Sequence, residues 1–208
     1  MSQNIISVGI DVGALNKGFH AVVNFNGAFH SKLHSNSAHE VVAWSLSYQP
    51  RVVAIDSPSR FSLQGRSRKA ERDLVKAGMR CFYTPTRKLA EKSHFYDWVF
   101  NGEQIYQHLQ LPIYLGGEYQ HACCIETFPH AIQKMLWLKD GIDLPNESKS
   151  KLRRSTLRDR LCYDISHLDS IDFVDAALCA VAGDYFQKNQ FSAYGCELEG
   201  FIVLPCAS

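Results

Sequence analysis

Four apolar runs in this chain end on, or enclose, carboxylates. Asp11 closes IISVGID, Asp56 closes RVVAID and Glu126 closes HACCIE, while Asp172 and Asp175 stand three residues apart in DFVDAALCAVAG. If the first three runs are parallel strands of one sheet, their ends lie along one edge, where α/β folds place ligands. Residues three apart on a helix share a face, so Asp172 and Asp175 act as a pair. Two carboxylates about 5 Å apart repel by roughly 3 kcal/mol at an effective dielectric of about 20. A converging set therefore needs a divalent cation or a retained proton. Oxygen donors without thiols or imidazoles suit Mg²⁺ or Mn²⁺, which activate water and stabilise the leaving oxygen of a phosphodiester. Asp11, Asp56, Glu126 and Asp175 are thus the candidate catalytic acids, and the same four with Asp172 the candidate metal ligands. The competing role for each acid alone is structural: a strand-end Asp often serves a turn, Asp56 before Ser57-Pro58 included, and Asp169 or Ser170 reads as the N-cap of the last helix.

Positive charge follows soon after Asp56. Residues 60–92 hold ten Lys or Arg against three Asp or Glu. A helix over 66–77, stopped by Gly78, would present Arg66, Arg68, Lys69 and Arg72 on one side. Arg66 and Arg72 are the preferred substrate-binding pair, able to hold phosphates by charge-assisted hydrogen bonds. A second patch, KSKLRRSTLRDR at 149–160, carries six basic residues and one acid. Its Lys149, Lys151, Arg153 and Arg154 are the weaker candidates. His130 lies close to Glu126 in sequence and reads as structural before it reads as a proton relay. Trp44, Trp98 and Trp137 read as core aromatics.

The elements that must position these groups follow from periodicity. Residues 5–12, 18–25 and 27–33 read as three antiparallel strands, the last two joined at Asn26-Gly27, a strong hairpin signal. Residues 37–48 read as a helix with Ser37 and Glu40 as a capping box, and 51–55 as a nearly all-apolar central strand. Helices are expected at 94–109, at 129–139 behind Pro129, and at 169–186, with a strand at 121–126 and a short one at 201–204. The fold class is α/β, with a mixed central sheet, helices on both faces and a helical insertion after strand four. Strands one, four and five should be neighbours.

Bulk properties bound the remainder. A chain of 208 residues with net charge +1 fits one domain over 1–208, with a basic helical insertion at about 60–110. The balance of charge alone says nothing of nucleic acid. The opening Met-Ser-Gln-Asn precedes no basic and apolar leader, and no apolar run reaches membrane-spanning length, so no membrane partner and a cytoplasmic location are expected. Seven cysteines without a CxxC pair read as reduced, mostly buried thiols.

Several segments together resemble the DUF429 family of predicted nucleases within the ribonuclease H-like superfamily. They are VGIDVGALNKGF at 8–19, VVAIDSP at 52–58, GRSRKAERD at 65–73, YTPT at 83–86, CIETFP at 124–129 and DFVDAALCAVAG at 172–183. The resemblance spans roughly residues 5–186 and implies a ribonuclease H-like fold. It also implies metal-dependent hydrolysis of nucleic acid, of a type the sequence does not specify. Asp11 then resembles the first-strand acid, Asp56 the fourth-strand acid, and Asp175, with Asp172, the last-helix acid. Glu126 matches the acid of the Glu-x-x-Pro stretch and ranks below Asp11 and Asp175. Two other readings stand beside this one. The first is a non-catalytic nucleic-acid-binding or regulatory module with the same fold. The second is nucleotide-dependent phosphotransfer, because DVGALNKG at 11–18 also looks like the first phosphate loop of actin-like and sugar-kinase ATPases.

Overall fold

A computed structural model describes residues 4–206 apart from 15, 120, 139, 140 and 143. Three antiparallel strands open it: β1 (Ile6–Val12), β2 (Phe19–Phe25) and β3 (Ala28–Ser35). Asn26 and Gly27 both adopt positive φ, 52° and 83°, which is the geometry of the tight turn that Asn-Gly favours. Helix α1 (Ala38–Ser47) follows, with the Ser37 side chain accepting from the Glu40 backbone N–H. Glu40 does not complete the expected box. Its carboxylate accepts from Ser35, whose hydroxyl in turn accepts from the Ser37 N–H. Strand β4 (Val52–Asp56) leads into α2 (Lys69–Lys76), the short α3 (Arg87–Ala90), a 3₁₀ turn at His94–Tyr96 and α4 (Asp97–Leu109). Then come β5 (Cys123–Glu126), α5 (Pro129–Leu138), α6 (Lys149–Ser155), a π-helical turn at Thr156–Arg160 and α7 (Ile171–Gln187). A closing hairpin, β6 (Phe191–Cys196) and β7 (Gly200–Pro205), completes the sequence of elements.

The strands form one mixed sheet in the order β3-β2-β1-β4-β5-β7-β6. Strand β1 pairs parallel with β4, β4 with β5 and β5 with β7. The expected neighbours one, four and five are therefore adjacent, and the fold is the ribonuclease H-like one. The anticipated single C-terminal strand is a hairpin of two. Strand β6 lacks an apolar–polar alternation, since nearly every residue in it is half-buried, so periodicity gives no sign of it.

The two-residue alternation of β1 divides the layers. Val8, Ile10 and Val12 pack with Val41 and Val42 of α1 and Ile105 and Leu109 of α4. Ser7, Gly9 and Asp11 face α7 on the other side. There the Ser7 hydroxyl meets the Ala180 carbonyl and the Asp184 carboxylate. A Cβ on Gly9 would stand 2.0 Å from the Ala176 carbonyl oxygen and 2.2 Å from the Ala180 nitrogen. Only glycine at that position lets α7 lie this close to β1, and that close approach brings Asp175 toward the strand ends. No helix among the described residues is long and apolar enough to cross a membrane.

Candidate active site

Asp11 and Asp56 are register partners at the C-terminal ends of β1 and β4. Directly paired residues project to the same face, here the face covered by α7. Asp172 and Asp175 approach from the first turns of α7, capped by Ser170, whose hydroxyl accepts from the Phe173 N–H. The capping residue is thus Ser170 rather than Asp169, which pairs with Lys32. All four aspartates line one cavity of about 710 Å³, together with Lys17, Arg68, Glu126, His130, Lys149 and Arg153.

These acids perturb one another. Burial first, then the Asp56, Asp175 and Asp172 carboxylates, hold Asp11 well above the usual carboxylate range, against the opposing Arg153. Asp56 is pushed up to about 7 by burial and then by Asp175, while Arg153 and Lys149 pull the other way. Burial also raises Asp175, opposed by the same two cations. One Asp175 oxygen is ion-paired with Arg153 and lies 3.4 Å from the Lys149 ammonium. Its other oxygen, Oδ1, is buried with no hydrogen-bond partner. Repulsion alone would make neutralisation of any of the three acids stabilising. For Asp175 the structure reverses that expectation, because Asn would strip the buried Arg153 of its partner.

Glu126 has different surroundings from those of the aspartates. Alternation along β5 sets it with Cys124 and its register partner Ile55, on the α4 side of the sheet. Its Oε2 accepts from the Ser59 N–H at 2.7 Å, the Ser59 hydroxyl at 2.9 Å and Arg68 Nη1 at 2.9 Å, and Arg68 Nη2 binds Oε1 at 2.5 Å. Arg68 is 1% exposed and also pairs with Glu71. Burial pulls its guanidinium down, but Glu126 and Glu71 outweigh that and hold it above its ordinary value. Glu71 in turn accepts from the Arg68 and Thr84 backbone N–H groups. The result is a closed internal ion cluster that anchors the start of α2 to β5. Glu126 was expected to ligate a metal beside Asp11 and Asp56; its acceptor sites are instead directed to Arg68 and Ser59.

The basic residues are also redistributed. The helix expected over 66–77 begins at Lys69, so Arg66 lies before it, exposed. Arg72 is exposed, donates to the Ser67 carbonyl and lies 3.7 Å from Glu199. Neither Arg66 nor Arg72 lines the cavity; Lys149 and Arg153 of the second patch do. Of the three tryptophans expected in the core, all are half-buried, and Trp98 lines the cavity. His130 lines it too; burial, then Arg153, Lys134 and Lys149, lower its pKa, so the ring is neutral at pH 7. Cys179, one turn beyond Asp175, is held protonated by burial and by Asp56 and Asp11.

The donors facing α7 are carboxylate oxygens, which suit a hard divalent cation in kind. As arranged, no three His, Cys, Asp or Glu side chains among the described residues are gathered closely enough to hold a metal. The lone Oδ1 of Asp175 and the mutual repulsion of Asp11 and Asp56 are the features that a cation would relieve.

Comparison with known proteins agrees with the resemblance read from the sequence. A search of curated proteins returned no match. Among solved structures, the Thermus thermophilus RuvC structure aligns at 14% identity and a TM-score of 0.43, covering 89% of this chain and 97% of that chain. A likeness at that level leaves the strand order described above as the ground for the fold. Residues 9–197 match the family described as "Protein of unknown function (DUF429)". That span contains Asp11, Asp56, Glu126, Asp172 and Asp175 together with Arg68, Lys149 and Arg153, and the chain belongs to the DUF429 family.

Proposed function

We propose that this protein hydrolyses phosphodiester bonds of nucleic acid at the α7 face of the β1 and β4 strand ends, with Mg²⁺ or Mn²⁺ as cofactor. The observation that carries this reading is the register pairing of Asp11 with Asp56, opposite Asp175, in a cavity also lined by cations. Asp11, Asp56 and Asp175 would hold the ion, with Asp172 beside them. When bound, it supplies charge neutralisation and an activated water. Lys149 and Arg153 are placed to receive phosphate oxygens once Asp175 is otherwise engaged. His130, whose ring is kept neutral by burial and the neighbouring cations, can accept a proton from the attacking water, as general base catalysis requires. Glu126 is assigned the positioning of Arg68 and the loop at Ser59. Arg66 and Arg72, exposed on the segment after β4, remain available to strand outside the cavity.

The test is a set of thermal melts with chelator, Mg²⁺ or Mn²⁺, paired with cleavage of labelled oligonucleotides. An ion present at about 100 times its dissociation constant stabilises the folded state by about 2.7 kcal/mol. Wild type should therefore melt higher with metal and cleave. Asp11→Asn and Asp56→Asn should lose both responses without losing metal-free stability. A wild type indifferent to metal in both assays, with oligonucleotide present, would sink the reading.

A further inference from the structure

The segment between β4 and α4 is strongly basic, yet beside Arg68, Glu71, Cys81 and Thr84 it turns two phenylalanines toward the cavity. Phe82, Phe95 and Trp98 line the same cavity as the aspartates. Phe82 and Phe95 remain 64% and 54% exposed and touch one another, so they form a small patch rather than scattered exposed side chains. Their centroids are 5.6 Å apart at 73°, and Phe95 is braced by Tyr96 at 5.0 Å. Trp98 stands half-buried in the first turn of α4. Lys17, Lys149 and Arg153 line the same cavity. It thus joins an exposed aromatic lip to charged side chains.

We propose that Phe82, Phe95 and Trp98 form a base-stacking subsite, so that the substrate is nucleic acid with an unpaired nucleobase next to the reacting phosphate. This rests on the phosphodiester reading given above and narrows it to single strands or to bases rotated out of a duplex. Charge complementarity and shape select this occupant. A phosphate drawn to the lysine and arginine side brings with it a base whose two faces are apolar and whose width matches an aromatic ring. Stacking on Phe, Tyr or Trp is tolerant of sequence because every base has a π face. A paired duplex keeps its bases stacked on one another and offers this lip only sugar and phosphate. The volume of about 710 Å³ lies within the roughly 300–1,000 Å³ typical of sites that enclose small molecules.

Fluorescence anisotropy with Ca²⁺ in place of Mg²⁺ or Mn²⁺, and with phosphorothioate backbones in all probes, measures binding apart from hydrolysis while Asp175 is engaged by an ion. The probes are a labelled oligothymidylate of about 12 nucleotides, an abasic strand of the same length, and the oligothymidylate annealed to its complement. Wild type should bind the oligothymidylate at least about tenfold more tightly than either competitor, the range that one stacked base supplies. Phe82→Ala with Phe95→Ala should abolish that preference and leave affinity for the abasic strand unchanged. Phe95→Trp should retain it. Both phenylalanines are more than half exposed, so folding survives, and far-ultraviolet circular dichroism verifies this. Equal affinity of wild type for all three probes would overturn the subsite, even if cleavage is metal-dependent. Base-dependent binding that vanishes in the double variant would establish it, even if no cleavage is found and the hydrolytic reading falls.

Discussion

Asp56 and Glu126 end neighbouring parallel strands, and one residue of register separates their fates. Glu126 pairs with Ile55, so it projects to the side opposite Asp56. There it receives four hydrogen-bond contacts from Ser59 and Arg68. Asp56 projects toward α7, beside Asp11 and Asp175. Neither Asp11 nor Asp56 takes part in an ion pair among the described residues, and the nearby Arg153 is engaged by Asp175. One acid is complete within the fold, whereas Asp11 and Asp56 are left without a counter-ion among the described residues, and burial with mutual repulsion raises their pKa values. A structural carboxylate and a candidate catalytic one can therefore occupy adjacent strand ends and be told apart by what is aimed at them. Carboxyls perturbed in this way cluster at functional sites.

The largest expected effect breaks the completed side. Arg68→Met would leave Glu126 and Glu71 buried without their shared cation. Removing one partner of such a cluster costs about 3–5 kcal/mol. Urea unfolding should show a drop of that order, and adding Glu126→Gln should recover part of it. A loss equal to that of an exposed arginine, within about 0.5 kcal/mol, would mean that the cluster holds nothing together.

A smaller effect sharpens the other side. The Asp56 carboxyl is raised from its ordinary value near 4 to about 7, by burial first and then by Asp175. Between those values the folded protein binds a proton that the unfolded chain does not. The contribution of this group to stability is therefore greatest at the acid end of this window and falls as pH rises through it, by at most about 1.4 kcal/mol per pH unit. Asp56→Asn should flatten that slope and be the more stable protein at about pH 8. Chemical denaturation of both proteins across the window checks this. A wild-type pH dependence that parallels that of Asp56→Asn from about pH 5 to about pH 7 would contradict the account.

Much of this arrangement is legible in the residues. The run IISVGID, the Asn-Gly turn and the small-residue stripe of α7 fix three strands and a closely packed helix, and hence Asp11 and Asp175. Gly9 is a further signal within the same run: in a strand interior, glycine marks a close approach by another backbone. The face of Glu126 is not legible, because apolar HACCI has no alternation to reveal which side is which. Nor can composition separate Arg68 from Arg66 or Arg72. All three belong to one basic stretch, and only the helix start at Lys69, with Glu71 accepting from the Arg68 N–H, turns one of them inward. The aromatic lip is equally hidden, since Phe82, Phe95 and Trp98 come from a loop, a 3₁₀ turn and a helix. Only tertiary structure collects them.

The smallest effect probes how far the completed side is over-determined. Ser59 contributes two contacts to Glu126, one from its backbone and one from its hydroxyl. Ser59→Ala removes only the second. Glu126 keeps the Ser59 N–H and both Arg68 contacts, and these already hold each of its oxygens. A hydrogen bond to a charged acceptor contributes about 1.5–3 kcal/mol when its loss leaves the charge short of donors. Here the remaining donors shield the acceptor, so the loss should fall below about 1 kcal/mol. Ser59→Pro is the sharper companion, because it removes the backbone donor and restrains φ where that N–H is in use, and it should cost more than Ser59→Ala. If alanine costs as much as proline, the hydroxyl and not the loop backbone is what holds Glu126 on its side of the sheet.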